Sequence, residues 1–198
     1  MSNIYFTSDP HFGRRFVAKI RGFGDDEDAT ARHDETICQN WAETVTDRDV
    51  VYVLGDLCVS DLDHALGLLD LLPGKKHLIW GNHDAGHPMH KNWRSQQDRF
   101  LKVFATANVH ATVKIGQQKV MLSHFPYSGD TDGRDHDRHE EWRLRDTGIP
   151  LIHGHVHSKS QFTASEIGTP QIHVGVDAWG LKPVALRSVQ DFMPWGEA

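Results

Sequence analysis

Val50-Val51-Tyr52-Val53-Leu54 running into Gly55-Asp56, and then His77-Leu78-Ile79-Trp80 running into Gly81-Asn82-His83-Asp84, decide how this chain folds. Each is a short aliphatic run bounded by Gly and polar residues, which reads as a buried strand. Between them Ser60-Asp61-Leu62-Asp63 resembles a capping box, Leu62, Ala65, Leu66 and Leu69 form one helical face, and Pro73-Gly74 stops the helix. Strand, helix, strand in this order predicts an α/β fold with a partly parallel sheet. Working outward, Ile4-Tyr5-Phe6-Thr7-Ser8 leads into Asp9-Pro10-His11, Val120-Met121-Leu122-Ser123 into His124, and Leu151-Ile152-His153-Gly154 into His155-Val156-His157. Every predicted strand of this set therefore ends on a side chain able to bind a metal. The carboxyl edge of an open α/β sheet is where ligands bind, so these distant residues are expected to meet there. Imidazole, carboxylate and Asn without thiolate suit Mn, Fe, Ni or Zn.

An earlier helix is predicted from near residues 28–30, with Ile37, Trp41 and Val45 recurring every fourth position. Residues 110–124 read as a hairpin around Gly116-Gln117-Gln118, which brings antiparallel pairing and makes the sheet arrangement mixed. His155 and His157 are spaced by two, so on a regular strand both would face one side. The polar segment 128–145 lies between two ligand-bearing strands and reads either as a substrate-facing loop or short helix, or as a solvated connector.

The 198 residues fit a single domain, 1–198, long enough to bury a sizeable core. No apolar stretch approaches the roughly 20 residues that span a bilayer. Met1-Ser2-Asn3 enters the first strand without a basic region or apolar run, so a cytoplasmic location is expected. Two cysteines, Cys38 and Cys58, are too few for a disulfide framework. The net charge of -6 disfavours long duplex nucleic acid, whose non-specific binding depends on many Lys and Arg contacts. Two divalent ions among Asp9, Asp56 and the histidines would add about four positive charges and make that one spot attractive to an anion. Histidine is the outlier at 15 residues, and those at 33, 64, 77, 87, 90, 110, 136, 139, 153 and 173 fall outside the strand-end pattern. Of these His87 and His90 stand nearest to it and are candidates for substrate contact. Arg14 and Arg15 follow His11 and either grip a phosphate or coat a helix. Six tryptophans suit core packing or an interface anchor.

Asp9-x-His11, Gly55-Asp56, Gly81-Asn82-His83-Asp84, His124 and Gly154-His155-Val156-His157, in this order, resemble the calcineurin-like metallophosphoesterase superfamily. The resemblance covers roughly residues 3–177. The stretch from Gly175-Val176-Asp177 through Val184 is similar to the end of small bacterial and phage members. The resemblance implies a four-layer sandwich of two mixed β-sheets flanked by helices, with the second sheet drawn from the region after His110. It implies two divalent metal ions, with Mn²⁺ first in expectation. Asp9, His11 and His157 would hold one ion, Asn82, His124 and His155 the other, and Asp56 would bridge them.

The implied reaction is hydrolysis of a phosphate ester by in-line attack of a metal-bridging hydroxide, with His83 protonating the leaving oxygen. Asp84 would orient the His83 imidazole or cap the following turn. Phosphoprotein phosphatases of the superfamily follow Gly-Asp with a Val-Asp-Arg-Gly type continuation, whereas this chain reads Gly55-Asp56-Leu57-Cys58-Val59-Ser60. The expected substrate is therefore a phosphodiester or a small nucleotide-like phosphate. The alternatives are a phosphomonoesterase, a nuclease of the same superfamily, and a non-catalytic metal-binding scaffold.

Overall fold

The computed structural model describes residues 2–131 and 133–193, so Asp132 of the polar segment and Trp195 lie outside the described residues. The chain opens with β1 (Ile4–Thr7), α1 (Arg15–Ile20) and α2 (Ala29–Thr44). The deciding stretch follows as β2 (Val50–Val53), α3 (Leu62–Leu71) and β3 (Lys75–Ile79), then α4 (Trp93–Phe100) and β4 (Thr106–Asn108). The remainder is β5 (His110–Ile115), β6 (Gln118–Ser123), β7 (Leu151–His153), β8 (Phe162–Ala164), β9 (Pro170–His173), β10 (Val184–Ala185) and α5 (Leu186–Gln190).

Two mixed five-stranded sheets result, ordered β10-β1-β2-β3-β4 and β5-β6-β7-β9-β8. In the first, β1 to β4 run parallel and β10 pairs antiparallel with β1. In the second, β6, β7 and β9 are parallel, while β5 and β8 close the edges antiparallel. The register of β2 explains why its run is apolar throughout. Val51 and Val53 face α2 and α3, joining Ile37, Trp41, Ala65 and Leu69. Tyr52 and Leu54 face the other sheet, where Phe6 and Ile79 meet Leu122, Ile152 and Ile172. A strand buried on both faces loses the alternation of a half-exposed one. Each fully buried aliphatic side chain contributes about 1.5–3 kcal/mol.

Helix α3 begins one residue later than the capping-box reading, because Asp61 rather than Ser60 is the cap and accepts from His64 N–H at 3.0 Å. The basic stretch after His11 forms α1, which packs on α2. Among its described residues, segment 128–145 is a loop carrying a single 3-10 turn, Glu140–Trp142. It is tied to the outward face of the second sheet where Gln171 Oε1 accepts from Ser128 N–H at 3.2 Å. Trp41 and Trp80 are core residues, and Trp80 meets Phe100 edge-on at 4.7 Å. Among the described residues, no helix is long and apolar enough to cross a membrane.

Candidate metal centre

The carboxyl ends of β1, β2 and β3 meet those of β6 and β7, and the ligand-bearing loops are zipped together through their backbones. Asp9 N–H donates to Gly55 O at 3.0 Å, His11 N–H to Asp56 O at 3.2 Å, and Gly154 N–H to His124 O at 3.0 Å. Glycine is required by this proximity. A Cβ on Gly55, which also has φ 85°, would strike the Gly81 backbone, and one on Gly154 would strike Ser8 Oγ and Asp9 Oδ2.

Asp9, His11, Asp56, His155 and His157 all have left-handed backbone, with φ between 47° and 71°. Non-Gly residues in this region cost on the order of 1–3 kcal/mol each and persist where surroundings over-determine them. This corrects the strand reading of His155 and His157. The strand β7 ends at His153, and the two histidines reach the site through a strained turn that sends them to different places.

Among the described residues two groups form: Asp9 with His11 and His157, and Asp56 with His124 and His155. In the first, His11 Nε2 and His157 Nε2 are 3.1 Å apart. Asp9 Oδ1, buried and without a hydrogen-bond partner, faces them at 3.9 and 3.8 Å. In the second, His155 Nδ1 and Asn82 Oδ1 each lie 3.2 Å from His124 Nε2. His124 Nδ1–H donates to Leu54 O at 2.6 Å, which turns Nε2 inward. Asp56 Oδ2 stands between the groups, 3.8 Å from His11 Nε2 and 3.5 Å from His124 Nε2.

This donor set fits metal. A metal–nitrogen bond of about 2.0–2.1 Å places adjacent ligands roughly 2.9–3.4 Å apart, which spans the nitrogen spacings observed. Burial alone would raise the Asp9 and Asp56 carboxyls, but the facing imidazoles, His124 foremost, outweigh it and hold both below the usual carboxylate range. Burial lowers His11 and His155 to about 4, leaving them neutral as ligands must be, whereas at His124 the lowering effect of burial is outweighed by the Asp56 carboxylate, which raises it to about 9, so its Nε2 proton has to leave before that nitrogen can ligate.

His83 stands at the solvent edge, its side chain 43% exposed and its Nε2 4.0 Å from Asp56 Oδ2. Its backbone N–H donates to Asp56 Oδ1 at 2.8 Å. Asp84 does not orient that ring. Its carboxylate accepts from the backbone N–H groups of Gly81, Asp56 and Leu57 at 2.8, 3.1 and 3.0 Å, so it staples two ligand loops together. Those amides lie nearer to the carboxylate than any imidazole, and once burial had removed its water they became its partners.

His87 is fully buried, edge-on to Trp142 at 4.7 Å, and is packing rather than substrate contact. His90 holds the Asn82 carbonyl at 2.9 Å. Arg15 is committed to Asp25 at 3.0 Å, and Arg14 is the exposed N-cap residue of α1.

Sequence reasoning missed the carboxylates behind the histidines. Asp177 Oδ2 is 3.0 Å from His157 Nδ1 and is gripped in turn by Arg21. Asp130 Oδ2 is 2.8 Å from His155 Nε2 and is gripped by Arg143 at 3.0 Å. Asp177 stands within the Gly175-Val176-Asp177 stretch and Asp130 within the polar segment, but spacing alone does not single out either.

A two-sheet α/β sandwich with these ligands at its strand ends defines a metal-dependent hydrolase of phosphate esters. The model of the calcineurin-like phosphoesterase family matches residues 2–159, and the chain belongs to that family. It is 41% identical over 190 residues to the Gene 66 protein of Mycobacterium phage L5, covering 91% of this chain and 89% of that protein. It is 30% identical over 203 residues to an uncharacterized protein of Methanocaldococcus jannaschii, covering 100% and 94%. Among solved structures, a protein of unknown function from Aquifex aeolicus has the same fold, with TM-score 0.68 at 22% identity over 98% of this chain and 100% of that one.

Proposed function

We propose that the protein is a binuclear metallophosphodiesterase acting on a small, nucleotide-like phosphodiester. The observation that carries this reading is the position of Asp56 Oδ2 between two ligand groups, with the exposed His83 ring beside it. Asp9, His11 and His157 would hold one divalent ion, Asn82, His124 and His155 the second, and Asp56 both. When bound, such ions supply an acidified water and positive charge for the phosphoryl oxygens, and Mn²⁺ is the first candidate. The chain's own residues do the rest. The Asn82 amide adds a ligand without adding negative charge, which keeps the site attractive to phosphate. His83, held through its backbone N–H, can carry a proton at Nε2 toward the leaving oxygen.

The surroundings favour a diester. Two clefts, of about 520 and 740 Å³, share His83 and His90 as a dividing wall. Both are in the size range of ligand pockets, and a diester has one substituent for each. Val59, Leu62 and Ala85 give one an apolar floor, whereas His136, His139 and Glu140 line the other.

The test is to strip the protein of metal, restore Mn²⁺, and compare bis-p-nitrophenyl phosphate, p-nitrophenyl phosphate and 2′,3′-cyclic nucleotides, with Asp56→Asn as control. Diester turnover that the control abolishes supports the reading. Silence on all three substrates despite bound metal would replace it with a binding scaffold, and turnover of the monoester alone with a phosphomonoesterase.

A further inference from the structure

Each ligand group contains one histidine whose outer ring nitrogen is met by a carboxylate held by arginine, and the two carboxylates come from unlike parts of the chain. Behind His157 stands Asp177, from the turn after β9. Arg21 holds it through a two-point contact, Nε to Oδ1 at 2.8 Å and a terminal nitrogen to Oδ2 at 2.7 Å. The same guanidinium, 4% exposed, donates to the carbonyls of Asp9 at 2.8 Å and Pro10 at 3.0 Å. Its remaining contact is His33 Nε2 at 3.0 Å, and His33 Nδ1–H donates to Asp34 at 2.7 Å. This side is built into α1, α2 and the loop after β1.

Behind His155 stands Asp130, 6% exposed, carried on the loop of residues 128–145, with Oδ2 2.8 Å from His155 Nε2 in an ion-pair contact that lies off the hydrogen-bond direction. Arg138 meets it at 2.8 Å and Arg143 at 3.0 Å. Arg143 also donates to the carbonyls of Pro126 at 2.7 Å and Arg138 at 2.8 Å, so the loop is folded around its own carboxylate.

A carboxylate on the outer nitrogen fixes the tautomer and ring orientation of a ligating histidine and raises its basicity, and losing it typically weakens metal affinity by about 10–100-fold. We infer that Asp177 and Asp130 are positioning residues for different metal ions, Asp177 for the ion at Asp9, His11 and His157, and Asp130 for the ion at Asn82, His124 and His155. The first ion is then buttressed by the scaffold, the second by the loop that lines the polar cleft beside His83. The inference rests on the binuclear reading proposed above and gives the 128–145 loop a role in holding metal.

The experiment is a Mn²⁺ titration of the metal-stripped full chain, read by calorimetry and by bound metal after dialysis, with no turnover involved. In a His11→Ala background, which isolates the second ion, adding Asp130→Asn should weaken binding by about 10–100-fold and adding Asp177→Asn should change it little. In a His124→Ala background the pattern should cross over. Circular dichroism melting of each metal-free variant checks the fold. Where an Asp→Asn variant fails to fold, Arg143→Lys and Arg21→Lys keep the carboxylate and loosen its clamp, and should show the same crossed pattern at smaller size. Equal weakening of both ions by either variant, or no weakening, would overturn the inference and leave the phosphoesterase reading standing. A wild-type chain that binds fewer than two ions would overturn both.

Discussion

Replacing His83 by alanine separates chemistry from structure. The side chain is 43% exposed and its nearest carboxylate oxygen, Asp56 Oδ2, lies 4.0 Å away. The backbone N–H bond to Asp56 Oδ1, at 2.8 Å, survives the substitution. Stability should therefore move by no more than about 0.5 kcal/mol, as for other surface changes, and bound metal should be unchanged. A general acid is worth about 10²–10⁴ in rate, or roughly 2.7–5.5 kcal/mol at about 1.36 kcal/mol per decade. That loss should fall on substrates whose leaving group is a poor alkoxide. A nitrophenolate leaves without a proton and should be slowed far less. The assay compares kcat/KM on bis-p-nitrophenyl phosphate and on a dinucleoside phosphodiester, with metal counted in the same samples. Equal losses on the two would refute the proton-transfer role and make His83 a residue that positions the phosphate. A loss of metal would refute the structural argument.

Gly154→Ala should displace Asp9, because the new Cβ overlaps Ser8 Oγ and Asp9 Oδ2, so dialysed protein should lose at least one ion relative to wild type. Leu69→Ala removes a fully buried side chain between α3 and the first sheet and should cost about 2–5 kcal/mol in urea unfolding with metal sites intact. Burial raises Tyr127 to about 12 from 10.0, and its hydroxyl donates to Ile149 O at 2.9 Å. The unfolded chain then ionises first, so this group's full contribution is present below about pH 10 and falls away as pH rises toward about 12. Tyr127→Phe should flatten that alkaline decline in urea midpoints, and an unchanged decline would contradict the assignment.

Part of this architecture was legible because it is local. The runs that became β2, β3, β6 and β7 carry their identity in a few consecutive apolar residues, and each metal-ligand candidate lies just beyond such a run. The face of α3 and the hairpin turn between β5 and β6 were readable for the same reason. Short edge strands such as β4, β8 and β10 were not, since two or three residues hold no periodicity and are ordered by their neighbours. His87 and Asp84 were misread because a side chain's partner depends on which backbone or ring arrives beside it after folding. For Asp84 these were amides on two loops, and for His87 the face of Trp142.

By itself, the sequence determined the α/β class and the order in which candidate ligands follow strands, because these depend on contiguous residues, and its family resemblance implied how those candidates divide between two ions. Only the tertiary structure decided which backbones are strained to aim the candidate ligands and which carboxylates back the histidines. Arg21 and Asp177 are separated by 156 positions and His155 lies on a different strand end from Asp130, so no local pattern joins them. Buried charges must find partners wherever the chain brings them: Arg21 follows α1, between strands of the first sheet, Asp177 follows β9 of the second, and Asp130 reaches His155 only when the loop between β6 and β7 folds back.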